Sequence, residues 1–267
     1  MEKIGIIAGN RKFPLIFARA AKKRGYSVVA IAIKGDTSPR LKKLVDKIYW
    51  LRLREFSKIF EIFKSEGIVN VVMAGQISQW RLFSKDVALD PELKQILSKI
   101  KDKRADTIFG SIANRLEEFG LVLKDSTLFL EDYLPKKGTL TKKEPVFDVW
   151  EDVYFGLKLA KQVAFLDIGQ TVAVKHKAIV AVEALEGTDK LIVRAGKIAG
   201  HGVTIVKVSK PKQDLRFDIP VVGLNTVKNL VKTKASCFAF EAEKTLFIDR
   251  EECVKLADKK GLSIVAV

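Results

Sequence analysis

Hydrophobic and polar positions alternate along the first half of the chain in two distinct periods. Lys3 to Ala8 is a short, nearly continuous apolar run, as a strand buried on both faces should be. Gly9-Asn10-Arg11-Lys12-Phe13-Pro14 reads as a turn, with Pro14 suited to the first turn of a helix. Leu15 to Lys23 is amphipathic and Gly25 fits its C-terminal stop. Ser27 to Ile33 is a second apolar strand, Val45 to Leu51 a third, and Ile68 to Ala74 a fourth. Between the last two lies an expected helix, Glu55 to Glu66, closed by Gly67. Residues 91–119 read as two helical pieces and Leu121 to Phe129 as a further strand or mixed segment. Strands alternating with helices of this length imply βαβ units and a parallel sheet.

The pattern changes after Leu134. Two prolines, a glycine and a run of charge over residues 134–145 form the best linker candidate. The expected domains are therefore 1–145 and 146–267. The second half predicts a helix over Val149 to Ala164 and an antiparallel pair, Gln170 to Lys175 with Ala178 to Val182, turning at His176-Lys177. Val203 to Val208, Val221 to Gly223, Ser236 to Glu241 and Ser263 to Val267 are further strand candidates. Asn225 to Lys232 and Arg250 to Lys259 read as helices. The fold class expected is α/β: an N-terminal Rossmann-like parallel-sheet domain, a smaller C-terminal mixed α/β domain, and a ligand cleft between them.

Composition narrows the function classes. The 267 residues are 48% hydrophobic and 30% charged, which marks a globular chain. The longest apolar runs are too short to cross a bilayer, and the first residues lack the features of a signal peptide. A cytoplasmic location is the expectation. Cys237 and Cys253 sit among apolar residues, and His176 and His201 are too far apart for a zinc motif. The formal net charge of +16 suits anionic partners, although Lys- and Glu-rich solvated helix faces explain it equally well. No stripe of interleaved aromatic and basic residues is visible, which ranks nucleic acid last among those partners.

Candidate chemistry gathers in loops at strand ends, where open α/β sheets bind ligands. Gly9, Asn10, Arg11 and Lys12 follow the first strand and lead into a helix N-terminus, a place suited to phosphate. The segment is neither GxGxxG nor a P-loop, and a tight strand–helix turn accounts for it equally. Gly75, Gln76 and Ser78 follow the fourth strand; Gly75 permits close approach, Gln76 and Ser78 hydrogen bonding. Asp106 and Thr107 stand in a polar stretch ahead of an apolar helix, where Asp106 could cap or project into a cleft. Glu183 to Asp189 carries three carboxylates around Gly187-Thr188, a pair able to offer N–H groups and a hydroxyl to phosphate, beside carboxylates able to hold Mg²⁺; a solvent loop with a helix cap at Thr188 or Asp189 is the alternative. Lys207 to Asp218 brings four cations and two carboxylates, Asp214 and Asp218, into one stretch. It runs into the apolar Ile219 to Gly223 segment, so Asp218 is expected on a rigid element near a strand start.

Taken in order, several of these segments resemble one known family. Gly5-Ile6-Ile7-Ala8-Gly9 with Phe13-Pro14-Leu15, Ala74-Gly75, Leu166-Asp167-Ile168-Gly169-Gln170, Val182 to Asp189, Val208-Ser209-Lys210-Pro211 and Phe217 to Gly223 are together similar to the LpxI-type UDP-2,3-diacylglucosamine pyrophosphatases of lipid A biosynthesis. The likeness runs over nearly the whole chain, with Gly9 to Lys12 departing from a glycine-rich turn. It implies Mg²⁺-dependent attack of water on the α-phosphorus, giving UMP and 2,3-diacylglucosamine 1-phosphate. The resemblance places the family's essential aspartate at Asp218; by their chemistry Asp214, Lys210 and Arg216 join it as catalytic candidates, and Asp218 and Asp189 are the metal-ligand candidates. Substrate contacts are expected from Gly9, Asn10, Arg11, Gly75, Gln76, Asp106, Thr107, Gln170, Glu186, Gly187, Thr188, Lys212 and Gln213. The partners expected are the acylated UDP-sugar and, through the positive charge, the anionic inner-membrane face, with a homodimer left open. A phosphohydrolase acting on another nucleotide-sugar or anionic metabolite stands as the alternative, and a non-enzymatic binder of an anionic partner as the third.

Overall fold

The computed structural model describes residues 1–75, 89–102, 104–211 and 213–267, with Ala105 and Asp106 described by their backbone. It divides into two compact units. The first comprises Met1–Glu131 with Asp214–Asp218, the second Asp132–Gln213 with Ile219–Val267.

In the first unit, β1 (Lys3–Ala8), β2 (Ser27–Ile33), β3 (Lys47–Leu51), β4 (Asn70–Ala74) and β5 (Val122–Leu123) form one sheet in the order β3-β2-β1-β4-β5. Every pairing is parallel. Continuous burial along β1, β2 and β4 is why these segments read as unbroken apolar runs. Ile7, Val29, Ile31, Val71 and Met73 share a core with helices α2 (Lys58–Ser65), α3 (Pro91–Lys99) and α4 (Ala105–Glu118), through Ile59, Phe63, Leu93, Ile108, Ile112 and Leu116. Helix α1 (Phe13–Lys23) packs against β1, β2 and β4 outside that cluster. The chain builds outward from β1 to β3, then returns to add β4 and β5 on the other side. The β1/β4 junction is thus the switch point of a doubly wound sheet.

Helix α2 is shorter than its sequence pattern. Leu53–Glu55 form a 3₁₀ turn in which the Glu55 carboxylate accepts from the Arg52 N–H at 3.0 Å, and the α-helix starts only at Lys58. Of the segment Leu121 to Phe129, only Val122 and Leu123 pair as a strand.

In the second unit, β6 (Gly138–Thr139), β7 (Thr171–Lys175), β8 (Ala178–Val182), β9 (Thr204–Lys207), β11 (Cys237–Phe240) and β13 (Ser263–Ala266) form a mixed sheet ordered β6-β13-β11-β9-β7-β8. A small parallel pair joins β10 (Val221–Val222) to β12 (Leu246–Phe247). Helix α5 (Phe147–Phe165) packs through Val153, Ala160, Val163 and Ala164 onto Val172, Val174, Val206 and Ala239. Helices α6 (Thr188–Ala199), α7 (Leu224–Lys232) and α8 (Arg250–Lys260) form a separate core with Ala173, Ile205, Phe238 and Ile264.

The expected linker contains a strand. Gly138 and Thr139 pair antiparallel with Ala266 and Val265, and the Thr141 hydroxyl accepts from the Ile264 N–H at 2.9 Å. The residues that read as a boundary are an edge of the second unit, and the units divide between Glu131 and Asp132, ahead of residue 145. The hairpin at His176-Lys177 forms as its sequence suggests. Both residues take left-handed φ, 51° and 58°, as a two-residue hairpin turn requires. Asp152, buried on α5, accepts from both backbone N–H groups at 3.1 and 2.6 Å, which offsets the strain of non-glycine residues there.

Candidate functional site

In the first unit, candidate residues meet at the switch point. The Gly9 N–H donates to the Ala74 carbonyl at 2.8 Å, tying the ends of β1 and β4 together. Gly75 has φ +85°, and a Cβ there would stand 2.5 Å from the Asn10 carbonyl oxygen and 3.0 Å from Pro14 Cγ. Only glycine fits, because the two strand-end loops touch backbone to backbone. Arg11 also takes a left-handed φ of 65°, and its side chain is exposed beside that of Lys12 at the start of α1. Asn10 Oδ1 is buried with no hydrogen-bond partner among the described residues, an acceptor suited to a ligand donor or an ordered water. Thr37 bridges the neighbouring strand ends, donating to the Ala8 carbonyl at 2.5 Å and accepting from the Ile33 N–H at 2.9 Å.

The segment Asp214–Asp218 belongs to this unit although the residues around it belong to the other. Ser126, wholly buried, donates its N–H to the Leu215 carbonyl at 2.8 Å. Its hydroxyl lies 2.7 Å from both the Arg216 and Met73 carbonyls. Phe217 packs against Phe109, their ring centroids 6.0 Å apart. The Asp218 N–H donates to the Asp214 carbonyl at 2.9 Å, closing the turn. Asp218 therefore sits in a turn three residues before β10, near a strand start as expected, and Ser126 and Phe109 fix the turn. Arg216 is bound to Asp214 at 2.8 Å and to Glu117 at 2.6 Å. The Arg216 hydrogen bond holds the Asp214 carboxyl below the usual carboxylate range, with burial opposing. Asp214 and Arg216 thus neutralise one another and act in the structure as the frame of the turn.

Asp106 lies in the first turn of α4, and the Thr107 carbonyl beside it accepts from Ser111 at 2.8 Å. A hydrogen bond from Arg104, followed by one from Thr107, holds Asp102 far below the ordinary carboxylate range. Gln76 and Lys212 lie outside the described residues, as does Ser78.

In the second unit, Gly187 precedes α6 with φ +82°, and Thr188 is its first residue. The Thr188 hydroxyl is the centre of a partly buried polar cluster. It donates to Glu183 Oε1 at 3.1 Å, accepts from the Lys207 ammonium at 2.7 Å, and lies 3.1 Å from the Thr171 hydroxyl. Lys207 and Glu183 are each only 8% exposed. A helix N-terminus beside a buried ammonium favours negative charge, and in this structure the Glu183 carboxylate supplies it. Gln170 enters the same corner, its N–H 3.3 Å from Glu183 Oε2. Gly169 makes this possible, since a Cβ there would come within 2.1 Å of the Glu183 carbonyl oxygen. Glu186 is paired with Arg194. Asp189 accepts from Asn225 at 2.6 Å and from Thr226 at 2.9 Å, joining the starts of α6 and α7.

The loop after β9 carries Ser209, Lys210 and Gln213. The Lys210 ammonium meets Asp167 at 2.7 Å, and its N–H donates to Gln213 Oε1 at 2.6 Å. Ser209 is bound to Glu241 and Lys161, two residues the sequence reading passed over. Their signal was present but weak: Glu241 is the first charge after an apolar strand, and Lys161 interrupts the apolar side of a helix.

Among the described residues, no three His, Cys, Asp or Glu side chains converge as a metal-ligand set. Magnesium does not require one, since it keeps several waters and is held by one or two carboxylates plus substrate phosphate oxygens. Also among the described residues, no helix is long and apolar enough to cross a membrane.

Comparison with known proteins covers the whole chain. Residues 3–133 match the LpxI N-terminal domain and residues 136–265 the LpxI C-terminal domain. A UDP-2,3-diacylglucosamine pyrophosphatase LpxI from Caulobacter vibrioides is 28% identical over 280 residues, covering 100% of this chain and 98% of that protein. Solved structures give fainter likenesses. The biotin carboxylase domain of Hydrogenobacter thermophilus 2-oxoglutarate carboxylase matches at 14% identity and TM-score 0.28, over 87% of this chain and 40% of that one. N5-carboxyaminoimidazole ribonucleotide synthetase from Thermotoga maritima matches at 18% identity and TM-score 0.25, over 68% and 42%. The chain spans less than half the length of either structure.

Proposed function

The chain belongs to the LpxI family, and from that premise we propose that it hydrolyses the pyrophosphate bond of UDP-2,3-diacylglucosamine, releasing UMP and 2,3-diacylglucosamine 1-phosphate by attack of water on the α-phosphorus. The observation that carries this reading is the presence of both LpxI domains in one chain, over residues 3–133 and 136–265.

The side chains support the chemistry. A substrate with a charged diphosphate needs that charge screened before water can approach phosphorus. The start of α6, with the Thr188 hydroxyl and the buried Lys207 ammonium, offers a preorganised phosphate environment. Lys210 adds a second cation, held in place by Asp167. Asn10 Oδ1 and the Gly9 and Gly75 loops offer an acceptor and close backbone approach to a hydrogen-bonding ligand group. Asp218 would hold Mg²⁺ together with the substrate's own phosphate oxygens, and the ion would polarise the phosphoryl group and lower the pKa of its bound water. Asp214 and Arg216 serve by fixing the turn that presents Asp218. With a net charge of +16, we place the work of the protein at an anionic cytoplasmic membrane face, where an acylated substrate resides.

The test is UMP release from UDP-2,3-diacylglucosamine with Mg²⁺, with EDTA, and with Asp218→Ala. Metal-dependent turnover that falls at least ~100-fold in the variant is expected. Full activity of the variant would remove Asp218 from the chemistry. No turnover by folded, metal-supplied protein would reject the substrate and direct the search to other phosphorylated compounds.

A further inference from the structure

Glu241 stands immediately beyond β11, at the strand end where an α/β sheet places its ligands. One of its oxygens, Oε2, accepts from the Ser209 N–H at 2.5 Å, from the Ser209 hydroxyl at 2.6 Å and from the Lys161 ammonium at 2.6 Å. Lys161 in turn donates to the Ser209 carbonyl at 3.1 Å. Each polar group of Ser209 is therefore engaged by this ion pair, and Ser209 itself is 3% exposed. The other carboxylate oxygen lies 3.6 Å from Lys244.

The neighbouring residues continue the same construction. The Val208 N–H donates to the Gln170 carbonyl at 2.8 Å. Gln213 closes the turn on Lys210 from both sides, through its side chain at 2.6 Å and its N–H at 3.2 Å. Asp167, just past the end of α5, holds the Lys210 ammonium. Helix α5 and the residues just beyond its end thus grip this loop twice, at Lys161 and at Asp167. The Glu241 side chain is 12% exposed, so holding its carboxylate there costs desolvation that a pairing with the more exposed Lys161 offsets only in part. The expense is intelligible where a loop must be fixed to within fractions of an ångström.

We propose that Glu241 and Lys161 are a positioning pair for the hydrolysis, clamping Ser209 so that Lys210 is presented to the substrate in one geometry. The proposal rests on the pyrophosphatase reading, because that reading gives Lys210 its task. It leaves substrate contact to Lys210 and assigns Glu241 and Lys161 a role one step removed.

The experiment compares Glu241→Gln, Lys161→Met and the double variant with the native protein. Glu151→Gln, on the same helix as Lys161, serves as control; it removes an exposed ion pair to Lys177 in the β7–β8 turn. UMP release, thermal melting and amide hydrogen exchange of residues 208–213 are measured on each. The expected result for Glu241→Gln is a kcat lower by ~10-fold or more with KM within about twofold, and faster exchange confined to the loop. The double variant should lose less than the product of the two singles, and the control should match the native protein. A native kcat in Glu241→Gln would overturn the proposal. So would a fall in activity matched by faster exchange throughout the second unit, which is the signature of a purely structural role. If the native protein itself releases no UMP, the pyrophosphatase reading fails separately. Loop exchange then decides the clamp: native-like protection in Glu241→Gln overturns it, and local loss of protection upholds it for another substrate.

Discussion

Ser126 fastens Arg216: its hydroxyl lies 2.7 Å from the Arg216 carbonyl while its N–H, at 2.8 Å, takes the carbonyl of Leu215 next door. The same hydroxyl lies 2.7 Å from the Met73 carbonyl at the end of β4. A fully buried serine thus links the turn that carries Asp218 to the central sheet of the first unit. Ser126→Ala removes a buried donor shared by two carbonyls and should cost ~1–3 kcal/mol. Urea denaturation would measure that cost, and UMP release should fall by more than the small loss of folded protein explains. Unchanged turnover in folded Ser126→Ala would show that the turn holds its place without this bond.

Gly75→Ala should be among the most damaging single-methyl changes in the chain. The new Cβ would press on the Asn10 carbonyl at 2.5 Å, and φ +85° already disfavours an L side chain. A loss of ~2 kcal/mol or more is expected, visible as a lowered thermal midpoint. A midpoint equal to that of the native protein would show that the β1 and β4 loops can part without cost.

Lys207→Met tests this corner. Lys207 is 8% exposed and its ammonium donates to Thr188. Its loss leaves the buried Glu183 carboxylate without the nearby cation and should lower stability by ~3 kcal/mol or more, while KM for a diphosphate substrate rises ~10-fold or more. Thr188→Ala should also lower stability, by ~1–3 kcal/mol, because it strips a partner from both Lys207 and Glu183. Equal KM values for Lys207→Met and the native protein would exclude this corner as the phosphate site.

Acid should loosen the turn that carries Asp218. Its neighbour Asp214 is held below its ordinary pKa of 3.8 by Arg216, so its ionised form is favoured by folding. The stabilisation is complete above the unfolded-state value and disappears as pH falls through the lower folded-state value. Urea midpoints measured from pH 6 to pH 2 should show native protein more stable than Asp214→Asn at the upper end. The gap should close below pH 3.8. A gap that stays constant to pH 2 would mean that the ion pair contributes nothing through its charge.

Much of the fold was legible because it rests on local periodicity. β2 was found at its observed bounds, Ser27–Ile33, since seven residues without a strong polar group have few alternatives to a buried strand. The hairpin at His176-Lys177 was equally plain, set by two apolar runs and a two-residue gap. Of helix α6 only a cap at Thr188 or Asp189 was legible, as the alternative to a phosphate loop. Its apolar positions Leu191, Ile192 and Ala195 have helical spacing, but the carboxylates before it drew the segment into a loop reading. The start of that helix is the same Gly187-Thr188 corner that was picked out for phosphate. Composition could suggest the corner, and only the fold supplies the helix end and the buried Lys207 that complete it.

The sequence by itself determined the α/β class, the parallel first sheet and the strand-end loops that carry Gly9, Gly75 and Thr188, because periods of two and 3.6 residues and glycines at strand ends are properties of neighbours along the chain. The tertiary structure alone decided which side chains meet. Glu241 reaches Lys161 across 80 residues, Ser126 reaches Arg216 across 90, and the strand Gly138–Thr139 pairs with a partner at the far end of the chain. Those contacts depend on sheet order and on the direction of each side chain, and neither leaves a periodic trace in the residues between.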